Sequence, residues 1–202
     1  SNKVNDKTLL ILDLSDVKKK YAKKMEYLAK VHDGSEDGEI VDGYWTNQVI
    51  ATEVGSNEIT PLHMSLYSQN SPDFTSENDE ILAAIDQVGE AVQNRGIWVI
   101  DRGADRDAIF EPLLKKSRDF IIRMVGTRDL IHQGGTVRFL WLAFACKLPH
   151  KKSVVKIIDG EEVIFNLSFG HVKVQLPEME IPLNMVVVKG FGVQPMMLMT
   201  TL

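Results

Sequence analysis

Two apolar runs that each meet a single aspartate constrain this chain more than any other feature. Thr8-Leu9-Leu10-Ile11-Leu12-Asp13-Leu14 and Ile97-Trp98-Val99-Ile100-Asp101 both read as strands buried on both faces, the first interrupted by a carboxylate and the second ending on one. A charge inside an apolar strand must be paired or functional, because burying it alone is costly. If the two strands lie side by side, Asp13 and Asp101 approach closely, and their repulsion raises one pKa. A divalent cation removes that repulsion, and paired carboxylates hold the ions in two-metal phosphoryl transfer. The plainer reading makes Asp101 a turn former or helix cap, with Asp16 a simple turn residue.

The segments around these strands read as an α/β order. Residues 48–54 and 59–67 are β-rich and flank Gly55-Ser56-Asn57, which predicts a hairpin. Ser76 is a helix N-cap with Asp79 three residues on, and Ile81, Leu82, Ile85, Val88 and Val92 follow at helical spacing until Gly96. After Asp101, the Arg102-Gly103-Ala104-Asp105 turn leads into a helix carrying Ile109, Phe110, Leu113 and Leu114. Pro112 lies inside it, where proline costs roughly 3 kcal/mol, so a late start or a kink is expected. Residues 119–125 form a third strand and 136–146 a helix. Strands then follow at 154–158 and 162–169 around an Asp159-Gly160 turn, and at 172–176, 183–189 and 196–199. The order strand, hairpin, helix, strand, helix, strand describes a mixed sheet with flanking helices, as in a ribonuclease H-like domain.

Composition narrows the chemistry. Cys146 is the one cysteine, which excludes an internal disulfide, and the five histidines have no metal-ligand spacing, so any metal should be a hard ion held by carboxylates. The net charge of −5 is uneven: residues 1–100 carry nine Lys/Arg against seventeen Asp/Glu, and the rest fourteen against eleven. A mildly basic second half can track phosphates. No apolar run reaches membrane-spanning length and no signal-peptide pattern opens the chain, so a cytoplasmic protein is expected. The opening Ser1-Asn2 resembles an added scar, and both ends are treated as possible cut points.

The segment Val99-Ile100-Asp101-Arg102-Gly103-Ala104-Asp105-Arg106-Asp107-Ala108-Ile109-Phe110, with Phe120-Ile121-Ile122-Arg123, resembles the second-aspartate box of DDE transposases of the insertion-sequence four family. Leu12-Asp13-Leu14-Ser15-Asp16 resembles the first-aspartate box, and Ile181-Pro182-Leu183-Asn184 through Met197-Leu198-Met199-Thr200 the close of the family's β-rich insertion. The resemblance implies a ribonuclease H-like catalytic core over residues 1–130 and a β-rich insertion over 131–202. It implies Asp13 and Asp101 as catalytic carboxylates holding Mg²⁺ or Mn²⁺, with Asp105 as a supporting residue that caps a helix and keeps the box in shape. The family's third ligand is a Glu in a later Tyr, Arg, Glu, Lys signature. Glu178 and Glu180 do not match it, so the chain is expected to stop short of that helix.

The activity implied is nicking of element ends by water followed by strand transfer to target DNA, with a homodimer assembled on the DNA. Arg102 and Arg123, near the ends of converging strands, are candidate phosphate contacts, as is the cluster Lys18, Lys19, Lys20, Lys23 and Lys24. Lys151 and Lys152 read as ordinary loop charges, His63 as a strand residue, Cys146 as a buried thiol, Trp98 and Trp141 as core, and Trp45 as either core or surface. The competing readings are another ribonuclease H-like nuclease and a non-catalytic nucleic-acid-binding relic of a transposase. A nucleotide-binding α/β protein is weaker, because neither strand is followed by a glycine-rich loop.

Overall fold

The computed structural model describes residues 4–19, 21–22, 24–32 and 40–202. The chain forms two compact units, Ser1–Val99 with Asp107–Arg118, and Ile100–Arg106 with Asp119–Leu202.

The first unit is built on β3 (Ile40–Thr52), whose thirteen residues let several partners share it. It pairs antiparallel with β1 (Leu9–Lys18), from Leu9 opposite Thr52 to Lys18 opposite Gly43. Its start pairs with β2 (Ala29–His32), a strand hidden in the sequence by the surrounding charges, and its second half with β4 (Thr60–Tyr67), the expected hairpin partner. The register slips between Val49 and Ile50, opposite His63 and Pro61. Such a bulge accommodates a proline that has no N–H to give the ladder. On the other side of β1 lies β5 (Ile97–Ile100), where the Ile97 amide donates to the Thr8 carbonyl at 2.8 Å.

Helix α1 (Glu77–Ala91) starts as its capping sequence predicts, the Ser76 hydroxyl accepting the Asp79 N–H at 3.1 Å. It ends before Gly96, because Gln93 and Asn94 already adopt φ of 60° and 55° and the Asn94 amide closes on the Gly89 carbonyl. Helix α2 (Asp107–Lys115) carries Pro112 in its interior. The missing bond there is offset by burial of Ile109, Phe110, Leu113 and Leu114 on one face.

The second unit contains β6 (Asp119–Arg123), β7 (Asp129–His132), β8 (Gly135–Arg138), α3 (Phe139–Ala145), β9 (His150–Ile158), β10 (Glu161–Val174), β11 (Leu183–Lys189) and β12 (Met196–Thr200). Five of these strands form an antiparallel array in the order β6-β12-β11-β10-β9. The hairpin turn Asp159-Gly160 is as expected, with φ of 52° and 85°.

Four sequence expectations are corrected here. Residues 136–146 are not one helix: Gln133 and Gly134, at φ of 50° and 79°, make a tight β7–β8 hairpin, and α3 follows only from Phe139. Residues 172–174 continue β10 rather than opening a new strand. Trp141 is 74% exposed, because α3 turns Phe139, Leu142 and Ala143 inward and residue 141 falls on the opposite side. Lys151 and Lys152 belong to β9, not a loop. Trp98 and Cys146 are buried as anticipated, and Trp45 is half-buried on β3. The architecture is mixed α/β, and among the described residues no helix is long and apolar enough to cross a membrane.

Candidate functional site

The two aspartates belong to different units, Asp13 to the first and Asp101 to the second. Asp13 lies midway along β1, opposite Gln48 of β3. Burial along β1 alternates: Leu10 and Leu12 are inside and Asp13 is exposed. This corrects the expectation of a carboxylate sealed within a strand buried on both faces. A charge in solvent incurs no burial penalty, so position in the strand alone no longer demands a functional role for Asp13.

Asp101 is exposed where β5 ends, and its Oδ1 accepts the Gly103 N–H at 2.8 Å. It thereby caps the short 3₁₀ turn Arg102–Ala104, as the plainer sequence reading anticipated. Capping and metal binding are compatible, since a carboxylate has two oxygens and about four lone-pair directions.

Asp105 is the most enclosed carboxylate of the segment, with a side chain 4% exposed. Its Oδ2 accepts the Val125 N–H at 2.8 Å and its Oδ1 the Arg128 Nε–H at 2.7 Å. The aspartate box is thus tied to the chain leaving β6 by a charge-assisted pair and a backbone bond, which fits Asp105 as a residue that keeps the box in shape. Arg128 had no signal in the sequence, because the two partners are distant in the chain and neither sits in a recognisable pattern.

Arg102 and Arg123 line one cavity of about 480 Å³ in the second unit, together with Val125, Leu140, Phe191 and Gln194. Arg123 is the exposed last residue of β6, opposite Leu198 of β12, and the Met124 amide continues the pairing by donating to the Met197 carbonyl at 2.8 Å. The short turn after β5 supplies Arg102. Two arginines among apolar and aromatic lining residues suit an anion whose planar or bidentate oxygens arginine can match. Phe191 was missed from the sequence, although its setting in Gly190-Phe191-Gly192 is the kind of loop that can present one aromatic ring.

Lys18 closes β1 opposite Gly43, and the Lys19 amide donates to the Asp42 carbonyl at 2.7 Å. Both belong to the first unit, and Lys20 and Lys23 lie outside the described residues. Burial pushes the Cys146 thiol above its ordinary value, against the smaller downward pull of Lys189, which disfavours the thiolate. His63 is half-buried within β4.

Among the described residues, no group of three or more His, Cys, Asp or Glu side chains is arranged to hold a metal ion. The donors expected to bind one, Asp13 and Asp101, offer hard carboxylate oxygens, which suit Mg²⁺ or Mn²⁺ in kind.

No family model matches the chain, and no curated protein matches it. Among solved structures it is similar to endonuclease V from Bacillus subtilis, at 14% identity and a TM-score of 0.39, over 98% of this chain and 70% of that one.

Proposed function

We propose that this chain is a DNA-acting phosphoryl-transfer domain of the DDE transposase type, ribonuclease H-like in its core, whose arginine-lined cavity holds a backbone phosphate. One observation carries the reading: Arg102 and Arg123, distant in sequence and both expected to contact phosphate, line the same cavity. Arg102 also follows Asp101 directly in the chain. The guanidinium groups position the phosphodiester, while Asp105 and Arg128 hold the turn that carries Asp101 and Arg102. By the resemblance, Asp13 and Asp101 would each offer a carboxylate to a divalent ion, whose chemistry would be activation of the attacking oxygen and stabilisation of the leaving one. The substrate is DNA, cut at element ends and joined to target, with two copies of the protein on the DNA.

Substituting alanine at Arg102 or Arg123 should weaken duplex DNA binding with little regard to sequence, and each should reduce the salt slope of log K by about one. In the full-length protein, Asp13→Asn or Asp101→Asn should leave that binding intact and abolish Mg²⁺-dependent cleavage. Cleavage that persists in either aspartate variant rejects the catalytic assignment. A non-catalytic nucleic-acid-binding domain of the same descent is the second reading, favoured by the exposure of Asp13, whose place in β1 then demands no functional role. Under it, the arginine variants behave as above, and the unsubstituted protein gains no cleavage from Mg²⁺.

A further inference from the structure

A second cavity, of about 270 Å³, lies wholly within the first unit and is unrelated to the DNA reading. Its walls include Tyr27, Tyr44, Tyr67 and Phe74, with the carboxylates of Asp73 and Glu80. No Lys, Arg or His is among the described residues that line it. Tyr67 and Phe74 stack with their rings 3° from parallel and centroids 5.9 Å apart.

The turn that brings Tyr27 to this cavity is fixed at a conformational cost. Tyr27 has a φ of 51°, in the left-handed region that a bulky side chain rarely adopts. Three consecutive carbonyls hold it there: Glu26 accepts the Tyr44 hydroxyl, Tyr27 the Ser68 hydroxyl, and Leu28 the Asn70 amide. Strain maintained by surrounding structure in this way is a feature of ligand clamps. Here it sets a half-exposed aromatic ring at the rim of a cavity already lined by three others.

We propose that this cavity binds the ammonium head of an aliphatic amine. Aromatic faces present negative charge to a cation, and quaternary or alkylated ammonium groups are the ions that such cages recognise. Asp73 and Glu80 supply the opposite charge. A hard metal ion fits less well, because ring carbons cannot replace its water ligands. Burial, and then Asp79, push the Glu80 carboxyl above its ordinary value, an imbalance that a bound cation relieves. The amine has two possible sources, a free polyamine or a lysine side chain on a partner protein, and both present the same head group.

The test is calorimetric titration of the whole chain with spermidine, with Nα-acetyl-lysine amide, and with butan-1-ol as an uncharged counterpart of an alkylammonium head. Saturable uptake of an amine and none of the alcohol is expected. Tyr27→Leu, which keeps apolar area and loses the ring, should weaken binding by roughly fivefold or more, and Tyr27→Phe should leave it unchanged. Asp73→Asn should weaken it similarly. Thermal melts matching the unsubstituted protein would establish that these rim variants are folded. Spermidine preferred over the lysine amide identifies a free polyamine, and the reverse order a protein side chain. Absence of saturable amine binding, equal uptake of the alcohol, or binding unchanged in both Tyr27→Leu and Asp73→Asn overturns the proposal, whatever the arginine variants do to DNA binding.

Discussion

Arg118 is 3% exposed, and its charge is met by Asp86 at 2.7 Å while its Nε–H donates to Asn94. Lys116 shares the same Asp86 oxygen at 2.6 Å. Burial pushes the Asp86 carboxyl up, but hydrogen bonds and charge from Lys116 and Arg118 outweigh it and hold the group below its ordinary 3.8. A lowered folded pKa means that the stabilisation is present above the unfolded value and lost as pH falls through the folded one. Asp86 is itself 42% exposed, so solvent screening reduces the pair's worth. Asp86→Asn should therefore lower stability at pH 7 by about 1–2 kcal/mol, with Arg118 left under-compensated. Urea unfolding of both proteins should show that difference shrinking below pH 4; a constant difference down to pH 2 would mean that charge is not its source.

Among the elements, the β9–β10 hairpin separates two uses of glycine. Gly160 has φ of 85° and open space where a methyl group would stand, so Gly160→Ala incurs only the left-handed backbone cost of about 1–2 kcal/mol. Gly170 sits within β10, and a Cβ there would lie 2.0 Å from the Lys147 carbonyl oxygen. Backbone must move to relieve that clash, so Gly170→Ala should be the more damaging of the two, at the upper end of about 1–3 kcal/mol or beyond. Equal urea midpoints for the two variants would contradict this account of the close approach. The turn was legible from Asp159-Gly160 alone, because its backbone demand is local. Gly170 was not, since the segment it accommodates arrives from another part of the chain.

For the whole molecule, a net charge of −5 works against diffuse electrostatic capture of DNA and puts the weight on local contacts. Two phosphate contacts, through Arg102 and Arg123, give a salt slope near −2, and affinity should fall on the order of tenfold between about 50 and 200 mM salt. A protein with six to ten such contacts would lose about a thousandfold or more. Fluorescence anisotropy across that range distinguishes the cases, and a slope well beyond −2 would bring in further cations such as Lys18 and Lys19.

The sequence by itself determined the elements whose signals are local: the Ser76-capped helix, the strand ending at Ile100, the strand beginning at Asp119, and the hairpin around Asp159-Gly160. It also marked Arg102 and Arg123 as candidates because both lie near the ends of strands. Only the tertiary structure decided that Asp13 faces solvent, that Trp141 lies outside, that Asp105 clamps Arg128, and that four aromatic residues line one cavity. Periodicity and capping act over a few neighbouring residues and can be read along the chain. Exposure, ion pairing and cavity lining depend on which distant segments come to cover a side chain, and that is settled only when the chain has folded.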